Sequence, residues 1–148
     1  MRTADVCKPN VVTTARGASL TEAAKLMREN HVGSVIVVDE LKPEIPVGIV
    51  TDRDIVIEVV AAGLDHRGMT VGEIMTTPLV TAHGDDDALE TLRAMRIRGV
   101  RRLPVVDDAG LLMGIASLDD LIEIAGDALN DVVGAIASER SLESWRRR

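Results

Sequence analysis

The heptapeptide Gly48-Ile49-Val50-Thr51-Asp52-Arg53-Asp54 joins a strand pattern to a helix pattern. Apolar residues before Thr51 predict a short strand, and the apolar residues after Asp54 fall at helical spacing. Thr51 is therefore placed at a helix N-cap with Asp54 three residues later, as in a capping box. The same geometry suits a second role, because a helix N-terminus offers free amides to a phosphate and a nearby carboxylate can accept ribose hydroxyls.

The pattern occurs again as Gly114-Ile115-Ala116-Ser117-Leu118-Asp119-Asp120, which begins 66 positions after the first copy. The glycine, the hydroxyl residue and the last aspartate of the two copies correspond: 48 with 114, 51 with 117 and 54 with 120. Apolar residues at helical spacing follow both copies. A strand-to-helix junction that recurs in this way indicates an internal duplication.

The helices ahead of the two heptapeptides also correspond. Ser19 with Glu22 forms a capping box before an amphipathic helix. Asp87 with Glu90 takes the same place in the second copy, 68 positions later. The duplication therefore extends well beyond the heptapeptides.

Two apolar runs predict the strands between these helices and the heptapeptides. Val35–Val38 is a β-branched run typical of a buried strand, and Leu103–Val106 is its counterpart. Each repeat thus reads strand, helix, strand, strand, helix, which predicts an α/β (α+β) fold of two tandem βαββα units. We divide the chain into residues 1–68 (repeat 1 with its lead-in, Arg2–Asn10), 69–125 (linker helix and repeat 2) and 126–148 (C-terminal helix and basic tail).

The last segment leaves the repeat pattern. Its apolar residues predict one more amphipathic helix that covers a surface or meets a partner chain: Leu129, Val132, Val133 and Ile136. The chain ends in Ser144–Arg148, an apolar and then basic tail that we expect to be a solvated, frayed terminus.

Composition excludes several classes of function. A formal net charge of −7 argues against a general nucleic-acid binder. The chain has no Phe and no Tyr, so an adenine base would have to lie between aliphatic side chains. The single cysteine, Cys7, cannot form an internal disulfide and fits a reducing compartment. With no apolar leader and no membrane-length run, we expect a cytoplasmic protein without a membrane partner.

The two repeats, each closing with Gly-apolar-x-Thr/Ser-x-x-Asp, resemble the CBS domain family arranged as a tandem pair, or Bateman module. Arg101–Asp107 also resembles the second strand of the family, and Met69–Met75 resembles the linker of stand-alone bacterial members. The resemblance implies two repeats related by a pseudo-twofold axis, with clefts between their sheets. It also implies adenosine ligands in those clefts: AMP, ADP, ATP, and sometimes S-adenosylmethionine or NAD.

By matching position, the resemblance implies roles for residues of both repeats. Asp54 and Asp120 would hold ribose hydroxyls, and Thr51 and Ser117, with the first amides of each helix, would meet phosphate. The residues implied beside the adenine or along its slot are Thr13, Thr81, Val35, Leu103 and Pro104. The aliphatic lining of the slot agrees with the absence of Phe and Tyr.

The two implied sites differ in charge. The remaining residues that we assign to nucleotide binding are Ser34, Arg53, Arg101, Arg102 and Asp119. Arg101 and Arg102 could each make charge-assisted bonds to a phosphate, although most arginines at such positions are surface charges on a strand edge. Arg53 could supply the positive charge that the first site otherwise lacks, whereas Asp52 would repel a polyphosphate unless neutralised. We therefore expect AMP to suit the chain better than ATP.

Other chemistry lacks a supporting pattern in the sequence. The histidines and Cys7 have no zinc-ligand spacing, and no catalytic triad or P-loop is present, so we predict neither a metal site nor an enzyme. Three hypotheses follow: a homodimeric nucleotide sensor that acts through an unknown effector protein, a structural dimerisation module with empty clefts, or the detached regulatory subunit of an enzyme or transporter.

Overall fold

The computed structural model describes residues 1–146, so Arg147 and Arg148, the end of the predicted basic tail, lie outside the described residues. The first half contains α1 (Thr3–Val6), β1 (Thr13–Ala15), α2 (Leu20–Glu29), β2 (Ser34–Val38), β3 (Pro46–Thr51) and α3 (Asp52–Asp54), which continues as a π-helical stretch (Ile55–Val60). The second half contains α4 (Val71–Ile74), β4 (Ala82–His83), α5 (Ala88–Arg98), β5 (Arg102–Val106), β6 (Leu112–Ser117) and α6 (Leu118–Arg146). The predicted α/β fold with two βαββα repeats is confirmed.

The two repeats form two sheets of the same design. Each has three strands in chain order, the first pair parallel and the second pair antiparallel. The registers correspond as well: Ile36 lies opposite Ile49 in the first sheet, and Pro104 lies opposite Ile115 in the second. The duplication inferred from the heptapeptides is therefore a duplication of the whole sheet.

The capping signals have different outcomes in the two repeats. Ser19 Oγ accepts the backbone N–H of Glu22, and the Glu22 carboxylate accepts the backbone N–H of Ser19, as predicted. Asp87 caps α5 through the backbone N–H of Leu89 instead, without a reciprocal bond from Glu90 among the described residues. An aspartate carboxylate at the N-cap satisfies the first-turn amides without help from the third residue.

Each repeat has its own hydrophobic core between its sheet and its helices. The first is built from Leu20, Ala23, Met27, Val35, Val37, Val50, Val59, Val71 and Met75. The second is built from Ala82, Met95, Leu103, Val105 and Ala116. Val71 and Met75 belong to the linker helix and its end, so the linker completes the core of repeat 1.

The lead-in makes the reciprocal contact with repeat 2. The backbone N–H of Thr3 donates to the carbonyl of Asp86 at 2.7 Å, and the buried Thr3 and Thr91 hydroxyls are 2.7 Å apart. Lys8 exchanges two backbone hydrogen bonds with Ile115 at 2.9 and 3.0 Å. The chain thus crosses between the repeats twice, once through the lead-in and once through the linker.

The predicted C-terminal helix is confirmed, but it is continuous with the helix that follows the second heptapeptide instead of starting after Ala125. Residues Leu118–Arg146 form one continuous helix, α6, because no proline or helix-terminating glycine motif interrupts it after the second heptapeptide. None of the helices within residues 1–146 combines the length and apolar character that a membrane span requires.

Candidate functional site

Both heptapeptides place a hydroxyl and a carboxylate at the start of a helix. The Asp54 carboxylate accepts the backbone N–H of Thr51 at 2.8 Å, and Thr51 Oγ accepts the backbone N–H of Asp54 at 3.1 Å. At the second junction, Ser117 Oγ accepts the backbone N–H of Asp120 at 3.2 Å and its hydroxyl donates to the Asp120 carboxylate. The capping prediction for Thr51 is confirmed, and Ser117 and Asp120 are similarly paired.

A cleft of about 230 Å³ opens beside the second junction, and we call it the Asp120 cleft. From repeat 2 it is lined by Arg102, Ile115, Ser117, Asp119 and Asp120. From repeat 1 and the lead-in it is lined by Lys8, Asn10, Val11, Val12, His31, Val32, Gly33 and Ser34. The cleft therefore lies between the repeats, and it combines an apolar wall with hydroxyl, carboxylate and cationic groups.

Lys8 is paired with Asp120 across this cleft. Lys8 Nζ lies 2.5 Å from Asp120 Oδ1; the lysine side chain is 67 % exposed, whereas the aspartate is buried. Burial of the Asp120 carboxyl raises its pKa, but the hydrogen bonds from Lys8 and Ser117 outweigh burial and leave the pKa below its usual value. The hydrogen bond to Asp120 raises the pKa of Lys8. Both groups are held in their charged forms.

Two further charged groups, from Asp52 and Arg102, lie near Gly33. A Cβ placed on Gly33 would lie 3.2 Å from Asp52 Oδ2 and 3.5 Å from Arg102 Nη2. Arg102 thus reaches the first repeat at the rim of the Asp120 cleft. Arg101 turns outward, where its guanidinium lies 3.4 Å from Asp119 Oδ1 in an exposed ion pair.

The structure brings together some of the predicted residues and separates others. Ser34, which belongs to the first repeat in sequence, lines the Asp120 cleft with the residues of the second heptapeptide. Asp54 lines a different cavity of about 440 Å³, together with Glu58 and Glu73. Arg53 is exposed and does not line this cavity. Thr13 and Thr81 are exposed at or just before the first strands.

The strand residues predicted along the base slot lie on both faces of their sheets. Val35 and Leu103 are buried in the two cores rather than in the cleft. Because side chains alternate along a strand, the face that carries Ser34 also carries Ile36, and the face that carries Arg102 also carries Pro104. Of the residues predicted along the slot, Pro104 lies on the same face as Arg102, which lines the cleft. Val35 and Leu103 lie on the opposite face.

Sequence reasoning missed the lead-in as a wall of the cleft. Lys8, Asn10, Val11 and Val12 precede the first strand and line the cleft, where Lys8 pairs with Ile115 of β6 and Val12 accepts the backbone N–H of Ile36 in β2. The sequence contained one signal of this arrangement: position 8 corresponds to position 76, at the offset of 68 that also relates Ser19 to Asp87. The backbone N–H of Thr76 donates to Ile49, as Lys8 does to Ile115. The two positions are structural equivalents that differ in charge.

Within residues 1–146, no three His, Cys, Asp or Glu side chains converge in a way that could hold a metal ion. The groups that line the Asp120 cleft are suited instead to hydrogen bonding and to pairing with an anion.

The family model of the CBS domain matches residues 4–61 and again residues 71–127. The chain belongs to the CBS domain family. The two matches follow the two structural repeats and confirm the tandem pair.

Two relatives from other organisms match most of this chain. Hypoxic response protein 1 of Mycobacterium tuberculosis is 32 % identical over 143 residues, which cover 95 % of this chain and 96 % of the relative. A solved structure of hypoxic response protein I with two coordinated zinc ions has a TM-score of 0.72 at 31 % identity and covers 83 % of this chain and 98 % of that one. The uncharacterized protein MK0525 of Methanopyrus kandleri is 38 % identical over 120 residues, and the matched region spans 81 % of this chain but only 60 % of the relative.

Three further solved structures share the fold. PAE2072 of Pyrobaculum aerophilum, complexed with AMP, has a TM-score of 0.76 at 29 % identity and covers 85 % of this chain and 99 % of that one. The CBS pair of MJ0100, in complex with 5-methylthioadenosine and S-adenosyl-L-methionine, has a TM-score of 0.76 at 28 % identity and covers 86 % and 98 %. The hexameric CBS-CP12 protein of bloom-forming cyanobacteria has a TM-score of 0.74 at 33 % identity and covers 82 % and 69 %.

Proposed function

We propose that this chain is a non-catalytic regulatory module that binds an adenine nucleotide, AMP in preference to ATP, in the Asp120 cleft. The observation that supports the proposal is the meeting, between the two repeats, of a helix-capping hydroxyl, a buried carboxylate, two cationic side chains and an aliphatic wall. PAE2072 binds AMP and MJ0100 binds adenosine derivatives, so related pairs take ligands of this class. ADP, NAD and S-adenosylmethionine are the competing ligands.

Each part of a mononucleotide has a matching group in the cleft. Val11, Val12 and Ile115 offer aliphatic surface to the base, in a chain that has no Phe or Tyr to stack on it. Asp120 can accept ribose hydroxyls through its carboxylate. The positive end of the α6 dipole and the guanidinium of Arg102 can attract the phosphate, although the Leu118 and Asp120 amides already donate to Arg101 and Ser117.

The balance of charge favours one phosphate over three. Asp119 lines the cleft and Asp52 approaches its rim near Gly33, so a chain of phosphates that extended outward would meet carboxylates. A cleft of about 230 Å³ is also smaller than the roughly 300–1,000 Å³ usual for ligand pockets. A titration in which ATP binds at least as tightly as AMP, at matched free magnesium, would overturn this preference.

The first repeat is the weaker candidate for a phosphate. Among the described residues, the cavity beside Asp54 is lined by the carboxylates of Asp54, Glu58 and Glu73 and by no lysine or arginine. These carboxylates would repel an anionic ligand in the cavity. We therefore propose that one equivalent of AMP binds at the Asp120 cleft before any binds beside Asp54.

We further propose that the module is a homodimer in the cytoplasm and that α6 contributes to the interface. Leu129, Val132, Val133 and Ile136 form one exposed stripe along this 29-residue helix. The first half of α6 carries several carboxylates and no lysine or arginine, whereas the last third carries glutamates and arginines in equal number, so an antiparallel pair of helices would keep the two acidic halves apart. A nucleotide in the cleft would then act on an effector protein by favouring one arrangement of the two repeats.

The test begins with the ultraviolet spectrum of the purified protein and mass spectrometry of a denatured extract. One Trp and no Tyr leave the protein with weak absorbance, so a retained adenine dominates the spectrum. Calorimetric titration with AMP, ATP, NAD and S-adenosylmethionine follows, on the wild type and on matched Asp120→Asn and Asp54→Asn variants. We expect Asp120→Asn to weaken AMP binding about tenfold or more, as the loss of a charged acceptor does, and Asp54→Asn to leave the tighter site unchanged. Failure of all four ligands to bind would favour the dimerisation module.

A further inference from the structure

The Asp120 carboxylate is already occupied in this structure. One oxygen lies 2.5 Å from Lys8 Nζ, and the carboxylate also accepts the hydroxyl of Ser117. A ribose diol that donated to both oxygens of Asp120 would compete with the ammonium group for Oδ1. The ammonium would then keep only the weaker attraction of the Asp119 and Glu123 carboxylates, unless the ligand itself supplied an anion.

We infer that Lys8 makes the Asp120 cleft selective for phosphorylated adenosine ligands over uncharged nucleosides. This inference rests on the proposed function. AMP offers the displaced ammonium a phosphate in exchange for the carboxylate, so the number of charge-assisted bonds is preserved. Adenosine offers only hydroxyls and must break the Lys8–Asp120 pair without replacing it.

The position of Lys8 gives the side chain the freedom that this exchange requires. Its backbone is fixed to β6 by two hydrogen bonds with Ile115, whereas its side chain is mostly exposed and sits on a flexible four-carbon stem. The ammonium can therefore move from the carboxylate toward a phosphate while the lead-in stays in place. Its departure from Asp120 also enlarges a cleft that is small for a nucleotide.

The other repeat supplies an internal control. Thr76 occupies the position equivalent to Lys8 and makes the equivalent backbone bond to Ile49, but its side chain carries no charge. Asp54, the equivalent of Asp120, exchanges hydrogen bonds with Thr51, as a helix cap does. The lysine is thus a feature of one cleft and not a requirement of the fold.

The test compares AMP with adenosine on the wild type, Lys8→Met and Lys8→Arg by calorimetric titration. Lys8→Met keeps most of the apolar stem and both backbone bonds, and thermal melts would check that it folds. We expect the ratio of the adenosine Kd to the AMP Kd to fall about tenfold or more in Lys8→Met, with adenosine bound as tightly as by the wild type or more tightly. We expect Lys8→Arg to keep most of the ratio.

The outcomes separate this inference from the proposed function. If AMP and adenosine weaken equally in Lys8→Met, Lys8 only supports the wall of the cleft and the inference is wrong, while the proposed function stands. The inference is also wrong if the ratio of the adenosine Kd to the AMP Kd is the same in Lys8→Met as in the wild type. If the wild type binds neither AMP nor adenosine, the proposed function fails first and the inference fails with it.

Discussion

Replacing Gly114 by alanine tests the crossing of the lead-in over β6, on which the Asp120 cleft depends. Gly114 is buried at the centre of β6, and a Cβ built there would lie 2.7 Å from the Lys8 carbonyl oxygen and 2.8 Å from Cys7 Sγ. The carbonyl is backbone and is already bonded to the amide of Ile115, so it cannot rotate away as a long side chain can. The lead-in must move off the strand to accept the methyl group.

The cost can be estimated from the contacts that would be lost. Overpacking a well-packed interior costs about 1–3 kcal/mol, and each of the two Lys8–Ile115 backbone bonds contributes about 1 kcal/mol. Alanine also lowers the conformational entropy of the unfolded chain, which offsets about 0.4–1 kcal/mol of this cost. We therefore expect Gly114→Ala to lower the free energy of unfolding by about 2 kcal/mol, which corresponds to roughly 5 °C in Tm for a chain of this length.

Two other glycines provide matched controls. A methyl group on Gly134, in α6, would have no neighbour within 4 Å among the described residues outside its own helix, so Gly134→Ala should stabilise by about 0.5–1 kcal/mol through helix propensity. Gly48 is the equivalent of Gly114, but a Cβ there would meet the flexible side chain of Met75 at 2.6 Å, which can shift. Urea denaturation should rank Gly134→Ala above the wild type, then Gly48→Ala, then Gly114→Ala. A Gly114→Ala protein as stable as the wild type would refute the packing that brings Lys8 to Asp120.

Two further predictions concern the charges and the exposed helix. Because the pKa of Asp120 is lowered in the folded state, its ionic contribution is complete above the unfolded pKa of about 3.9 and is lost as the pH falls through the folded value. The stability advantage of the wild type over Asp120→Asn should therefore be constant between about pH 6 and 8 and should shrink below about pH 4 in urea titrations; an advantage that persists in acid would contradict the ionic origin. For α6, Ile136→Glu should shift sedimentation from dimer to monomer, whereas Leu142→Glu, an exposed position off the stripe, should not. Equal behaviour of the two variants would exclude the stripe as the interface.

Local signals in the sequence are sufficient for most of the fold. The capping residues Ser19 and Thr51 mark helix starts because a side-chain oxygen must satisfy amides that the helix cannot. The run Val35–Val38 is a strand buried along its whole length, as a β-branched run without alternation predicts. These signals depend on neighbours in the chain, which is why one sequence is enough to read them.

The composition of the cleft cannot be read in the same way, since it depends on which elements cross between the repeats. The lead-in at Lys8 pairs with β6, and Ser34, the strand partner of Thr51, lines the cleft of the second heptapeptide. Sequence spacing assigns a residue to the repeat that contains it, whereas a site between repeats takes residues from both. Similarly, the aliphatic character of Val35 and Leu103 suits them to the base, but strand alternation turns them toward the cores.

The crossing of the lead-in also determines how a ligand could affect the whole molecule. Thr3 is bonded to Asp86 and Thr91 of repeat 2, and a few residues later the same segment contributes Lys8 to the cleft and continues into the first strand of repeat 1. A nucleotide that drew Lys8 away from Asp120 would therefore act on the segment that joins the two repeats. The linker helix crosses in the opposite sense and completes the core of repeat 1, but the equivalent position there is the uncharged Thr76. The two crossings are alike in packing and different in charge, so a single phosphate would bias only one of them. Because of that difference, a ligand would act unequally on two repeats that share the same strand order.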